Sequence, residues 1–170
     1  VWRTVSRTIS KFKLVFSNIE DTSEILREFV LNLTDYNFKR LGLEPREGDS
    51  ENDLQLRSTI LSMRVGVDDQ QILDWAKLKF NSAVAVDDLD PELKALILSA
   101  VARQDAEADF NKMEEWHFND KTSDEDKRII SAAMTGFHSE ELLKRILNLI
   151  INDKIRTQDV VFWIAYMATG

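Results

Sequence analysis

The side chains that most often carry out chemistry in proteins are scarce in this chain. It has two histidines, His117 and His138, and no cysteine among its 170 residues. A catalytic zinc site usually takes three protein ligands, often two histidines four residues apart on a helix plus a distant acid. His138 has no second histidine at that spacing, and His117 falls on the apolar face of its predicted helix. We therefore expect no metal ligand here, and we expect His117 to be a packed, hydrogen-bonded core residue.

Clusters of aspartate are the other candidate for chemistry. The acids at residues 68–69 and 87–90 could hold Mg²⁺ in an all-α enzyme, but that requires carboxylates on a helix wall that faces a cavity. Both clusters, like residues 124–126, fall at predicted helix starts, where the helix dipole favours acids. We interpret them as solvated caps and keep a magnesium-dependent enzyme as a third hypothesis.

Charge and composition exclude other classes of function. Thirty acidic residues against 22 basic ones give a net charge of −8, which should repel nucleic acids and anionic membrane surfaces. No apolar run approaches the roughly 20 residues that a membrane helix needs. The five glycines and two prolines are too few for a turn-rich β fold. The absence of cysteine fits a reducing compartment, and we expect a cytoplasmic location.

Hydrophobic periodicity predicts nine helical segments and no sheet. In the first segment, for example, Trp2, Val5 and Ile9 recur at steps of three and four. Start signals accompany the breaks between segments, and they are Asp21 to Glu24, Ser50 to Asp53, Asp90-Pro91, the capping box Thr122 to Glu125, and Thr157. The linkers are short and polar, apart from residues 42–50 and 81–90.

This organisation predicts an all-α fold. Short linkers favour antiparallel neighbours, and nine medium helices without long heptads suit a right-handed superhelix of helix pairs. We expect one HEAT/armadillo-like α-solenoid domain over residues 1–170, although no strict sequence repeat is visible. The four tryptophans are expected to pack between helices.

The chain ends suggest a fragment of a longer protein. The sequence begins at Val1 without a methionine, and both ends lie beside apolar patterns. We expect truncation at both ends and self-association through apolar residues left exposed there. The expected exposed residues are Trp2, Val5 and Ile9 at one end and Trp163, Ile164 and Met167 at the other.

Residues 41–57, LGLEPREGDSENDLQLR, resemble a segment of the aminopeptidase N family that is usually written L-G-W-E, an acidic linker, and a helix ending in L-R. The resemblance rests on Leu41, Gly42, Glu44, Asp53 and Arg57, while leucine stands at position 43 where the family has tryptophan. Residues 142–147 resemble the family's L-L-x-R-x-L motif, and residues 155–159 resemble its I-R-x-Q-D motif. These motifs follow one another along the chain in the order in which the family has them.

The resemblance implies the helical C-terminal domain of a zinc aminopeptidase. In that family the domain covers the active site and encloses the peptide chamber, so the partners would be the parent's catalytic domain and peptide substrates. Zinc would lie in that catalytic domain, and no catalytic, cofactor-binding or metal residue is carried over to this chain. Arg57 is expected to pair with an acid of the preceding linker, such as Glu44 or Asp53. The alternative is a stand-alone helical-repeat scaffold that binds a protein partner.

Overall fold

A computed structural model describes residues 1–16, 22–152 and 154–169. In these ranges the chain forms α-helices and one short 3-10 helix, Val86–Asp88, with no strand. The α-helices are α1 Trp2–Phe16, α2 Thr22–Leu41, α3 Glu51–Val65, α4 Gln70–Ser82, α5 Lys94–Ala102, α6 Glu107–Phe118, α7 Asp124–Met134, α8 Glu140–Ile151 and α9 Thr157–Thr169. The predicted all-α fold is confirmed, and the hand of the superhelix stays a prediction.

Serine hydroxyls cap two of the predicted helix starts, those of α3 and α7. Ser50 caps α3, because its hydroxyl accepts a hydrogen bond from the amide of Asp53 at 3.1 Å. At α7 the cap is Ser123, whose hydroxyl accepts from the amide of Asp126 at 3.1 Å. The predicted cap at Thr122 is wrong, since the Thr122 hydroxyl donates to the carbonyl of Trp116 at 2.7 Å.

The start of α5 also differs from the prediction. Helix α5 begins at Lys94, so Pro91 lies in the turn before it and does not occupy the first helical position. The Asp90 carboxylate accepts the amide of Glu92 at 2.8 Å, which closes that turn. The cap expected at Asp21 lies outside the described residues.

The chain divides into two compact units, Val1–Trp75 and Ala76–Gly170. In the first unit α2 packs on α3, and α1 contacts both. Its core centres on Val30, Met63 and Val67, and the residues packed against this core are Trp2, Val5, Ile9, Leu26 and Leu31. The expected exposure of Trp2, Val5 and Ile9 is therefore wrong, because these side chains are half-buried against residues of α2 and α3.

In the second unit α5, α6 and α9 all pack against α7. Trp163 is only 1% exposed, so its predicted exposure is wrong, whereas Ile164 is 54% exposed as expected. The Trp163 ring packs edge-on against the His117 ring with centroids 5.4 Å apart. Met167 is half-buried. The position of Trp163 follows from the contact between α7 and α9, which periodicity within α9 does not reveal.

An internal repeat is present in the turns that follow α3, α5 and α7. In each turn the amide four residues after a serine donates to the carbonyl of that serine, and the next two amides donate to carbonyls three residues back. The three serines are Ser62, Ser99 and Ser131. The turns lead into α4, α6 and α8, so the helices are joined as helix–turn–helix units of the same geometry.

Side-chain contacts at a fixed sequence separation link neighbouring helix pairs in the second unit. Lys94 donates to Asp126 at 2.6 Å across 32 residues, and Lys77 pairs with Asp109 at the same separation. Lys112 donates to the carbonyls of Phe80 and Ala83 at 2.7 Å each. The last two contacts satisfy carbonyls at the C-terminal end of α4, which have no partner within their own helix.

The Lys94–Asp126 pair should stabilise the second unit measurably. Both side chains are nearly buried, and removing one partner leaves a buried charge unpaired. We expect Lys94→Met to lower the free energy of unfolding by about 3 kcal/mol at pH 7, measured by urea denaturation. The control is Lys144→Met, which removes an exposed pair with Glu140 and should cost less than about 1 kcal/mol.

The pH dependence of Lys94→Met gives a second measurement on the same variant. Burial raises the pKa of Asp126, but hydrogen bonds from Lys94 and Ser123 outweigh burial and hold that pKa below its ordinary value. The wild-type stabilisation is therefore present above the unfolded pKa, about 3.9, and is lost as the pH falls through the folded pKa. The difference between variant and wild type should shrink on acidification. A difference that is constant from pH 7 to pH 3 would contradict the ion pair.

Candidate functional site

Arg57 lies at the centre of the sequence motif at residues 41–57. Its side chain is 1% exposed. Nε and Nη2 donate to the carbonyl of Leu41 at 3.2 and 3.1 Å. These bonds give the carbonyl of the last residue of α2 a hydrogen-bond partner. Nη2 also pairs with the carboxylate of Asp49. The expected partners Glu44 and Asp53 are therefore wrong, although the true partner does belong to the preceding linker.

The backbone of the linker explains the choice of Asp49. Gly42 and Gly48 have φ of 69° and 89°, conformations that favour glycine, and they fold the linker back over the start of α3. The amide of Arg46 donates to Asp49 at 2.8 Å, and this bond together with Arg57 holds the pKa of Asp49 below its ordinary value. Asp49 is thereby oriented toward the buried guanidinium of Arg57.

The two other acids of the motif have different partners. Asp53 pairs with Arg40 at 2.7 Å and accepts from the Ser50 hydroxyl at 2.8 Å. Glu44 accepts from the indole nitrogen of Trp75 at 3.2 Å. The structure thus brings Leu41, Asp53 and Arg57 together at the junction of α2 and α3, where their polar groups bind other groups of the chain.

The aspartate clusters do not behave alike. Asp88 accepts the amides of Val84 and Ala85 at 2.8 and 2.9 Å, as expected of a cap. Asp69 and Asp126 are buried, however, and pair with Arg64 and Lys94 respectively. The interpretation of those two acids as solvated is wrong. In the described part of the chain, no three His, Cys, Asp or Glu side chains are grouped closely enough to hold a metal ion.

A mixed polar and aromatic cavity of about 430 Å³ lies in the second unit. It opens between the C-terminal end of α6, the first half of α7 and the first half of α9. Its aromatic lining is His117, Phe118, Phe162, Trp163 and Tyr166, and its charged lining is Asp120, Asp124, Lys127, Arg128, Lys154, Arg156 and Asp159. The size falls within the range of small-ligand and peptide pockets. We name it the α6–α7–α9 pocket.

His117 contributes to the wall of this pocket and is held by its neighbours. Its Nδ1 lies 3.2 Å from the carbonyl of Lys127, which we assign as a bond donated by the ring, and its ring packs against Phe118 and Trp163. Burial lowers the pKa of His117, so the ring is neutral at pH 7. The predicted packed and hydrogen-bonded His117 is confirmed, and its position beside a cavity is a new observation.

An apolar groove of about 470 Å³ lies between α1 and α2 in the first unit. It is lined by Val5, Ile9, Phe12, Ile25, Leu26 and Phe29 with Thr4, Thr8 and Thr22. Ile25 and Phe29 are exposed, unlike most large apolar side chains of a folded domain. We name it the α1–α2 groove.

Sequence reasoning missed both cavities because neither is built from one motif. The α6–α7–α9 pocket combines residues from the ends of three helices. A partial signal was present, since residues 154–156 and 127–128 contribute four basic side chains to an otherwise acidic chain. Nothing in their spacing indicated that the two segments meet.

The fold and these surfaces define a class of protein. It is a helical domain built from recurring helix–turn–helix units, and the sequence motif at residues 41–57 forms a buried junction between two of its helices. The sequence matches the family described as ERAP1-like C-terminal domain over residues 1–170. The chain belongs to that family. It is also 27% identical over 165 residues to Aminopeptidase 2 of Candida albicans, an alignment that covers 94% of this chain and 18% of the relative. The chain thus spans about a fifth of that protein's length.

None of the described helices combines the length and the apolar content that crossing a bilayer would require.

The buried guanidinium of Arg57 should be a main determinant of stability in the first unit. Truncation to alanine leaves Asp49 and the Leu41 carbonyl without their partner, so we expect Arg57→Ala to lower the free energy of unfolding by about 3 kcal/mol. Chemical denaturation would measure this. Arg27→Ala is the control, because its pair with Glu24 is exposed, and it should change stability by less than about 1 kcal/mol. Equal effects of the two variants would contradict the buried role.

Proposed function

We propose that this chain is a non-catalytic domain of a zinc-dependent aminopeptidase, and that it forms a wall of the chamber in which peptides are cleaved. The observation that carries the proposal is the family match over all 170 residues, together with the alignment to Aminopeptidase 2. The catalytic zinc belongs to a part of the parent protein outside this chain. The parent acts in the cytoplasm, and the partners of the domain are the parent's catalytic domain and the peptide substrate.

The way in which the buried ionisable residues of this domain are paired favours a role as a chamber wall over a role as an active site. Its buried ionisable groups are used in structural contacts: Arg57 with Asp49, Arg64 with Asp69, and Lys94 with Asp126. Groups held in this way stabilise the helices and are not available to transfer protons to a substrate. A rigid wall can still exclude water and orient a peptide, because neither task needs a reactive side chain.

The test uses the parent protein that contains this domain, as wild type and as the destabilised variant Arg57→Ala. The assay compares kcat/KM for a single-residue chromogenic amide with that for a ten-residue peptide. Loosening the wall with Arg57→Ala should lower the rate on the long peptide at least about threefold and leave the short substrate nearly unchanged. The Arg27→Ala control should change neither. If Arg57→Ala destabilises the domain but leaves the ratio of the two kcat/KM values unchanged, the domain does not act as a wall of the chamber. Peptidase activity in the 170-residue chain alone would contradict its non-catalytic role.

A second function, a scaffold that binds a protein partner, is favoured by the α1–α2 groove. Exposed apolar surface of this kind promotes association, and we propose that the isolated chain self-associates through it. Ile25→Lys should then convert oligomers to monomers in sedimentation at tens of micromolar protein. Leu78→Lys is the control, since Leu78 is equally exposed and lies outside the groove. A wild-type chain that is monomeric, or oligomers that persist in Ile25→Lys, would contradict association through this groove.

A further inference from the structure

The α6–α7–α9 pocket contains two lysines that lack acidic partners. Lys127 is half-buried and Lys154 is exposed, and neither forms a salt bridge within the described residues. Five other cations of the second unit form salt bridges with described acids, among them Lys77, Lys94 and Arg145 with Asp109, Asp126 and Glu114. A half-buried ammonium group without a counter-charge favours the binding of an anion.

The acids of the pocket do not cancel this preference. Asp124 faces Arg156 at 3.6 Å, so these two charges largely compensate each other. Asp159 lies in the first turn of α9, where the positive end of the helix stabilises it. Asp120 lies on the rim, in the loop between α6 and α7. The described lining therefore carries four basic side chains, the other two being Arg128 and Arg156, against three acidic ones. This excess of positive charge favours an anionic ligand.

The remaining walls are aromatic. Phe118 and Phe162 are 42% and 49% exposed, while the rings of Trp163 and His117 pack edge-to-face in the same lining. Two partly exposed phenyl rings in the same lining as Lys127 and Lys154 suit a ligand that places a flat or apolar group next to a carboxylate. Such a ligand would cover aromatic surface that is now in contact with water.

We infer that the α6–α7–α9 pocket binds a peptide segment in which an acidic side chain follows an aromatic residue. The carboxylate pairs with Lys127 and Lys154, and the aromatic group packs on Phe118 and Phe162. A peptide is favoured over a free aromatic acid because its backbone amides can donate to the carboxylates of Asp120 and Asp159 in the lining. The choice of a peptide rests on the proposed peptide-handling function.

The test is a titration of the 170-residue chain with acetyl-Phe-Glu-amide, followed by backbone amide NMR shifts. We expect saturable shifts confined to residues 117–131 and 154–166, with a dissociation constant on the order of 1 mM. Acetyl-Phe-Gln-amide, which lacks the charge, should bind at least about tenfold more weakly, and added salt should weaken only the acidic peptide. Equal binding of the two peptides, or shifts outside the pocket, would overturn the inference.

Matched variants separate the two halves of the ligand. Lys127→Gln should weaken the acidic peptide about tenfold, whereas Lys121→Gln, at an exposed lysine outside the pocket, should change it less than about twofold. Phe162→Ala should weaken both peptides about fivefold, and Val161→Ala on the exposed side of α9 should not. Tighter binding of 3-phenylpropionate than of the acidic peptide would overturn the choice of a peptide. The assay needs no peptidase activity, so its failure and that of the proposed function are distinguishable.

Discussion

The second unit depends on one constraint: backbone carbonyls at a helix end need hydrogen-bond donors, and side chains about 30 residues further along the chain supply them. Lys112 donates to the carbonyls of Phe80 and Ala83, and the Trp116 indole donates to the carbonyl of Val84 at 3.0 Å. Burial lowers the pKa of Lys112, because the amine lies over the rings of Phe80 and Trp116. Each helix pair is therefore completed by the next pair, which is the physical basis of stacked repeats.

The same constraint determines which groups are available for function. Buried charges in both units are committed to partners, and Arg57 is committed both to a helix end and to Asp49. The half-buried Lys127 and the exposed Lys154 line the α6–α7–α9 pocket without a salt bridge to a described acid, and the α1–α2 groove is a region where apolar surface is left uncovered. Binding at surfaces between helices, without bond-making chemistry, is the activity that this arrangement favours.

The sequence predicted the helices well because each is governed by short-range pattern and capping. It predicted the buried Arg57 but not its partner, since the choice of Asp49 depends on two glycines with positive φ that fold the linker. It treated Asp126 as solvated because the paired Lys94 lies 32 residues away. The repeat was missed for a related reason. The turns at Ser62, Ser99 and Ser131 share backbone hydrogen bonds, while their other side chains differ.

We propose that the catalytic chemistry of the parent protein lies outside this domain. The most direct measurement is the zinc content, after dialysis, of the 170-residue chain and of the longer polypeptide that contains it, with peptidase activity measured on both. We expect no bound zinc and no activity in the chain, and one zinc per longer polypeptide with activity that a chelator removes. Stoichiometric zinc in the chain, or chelator-resistant activity in the longer polypeptide, would contradict it.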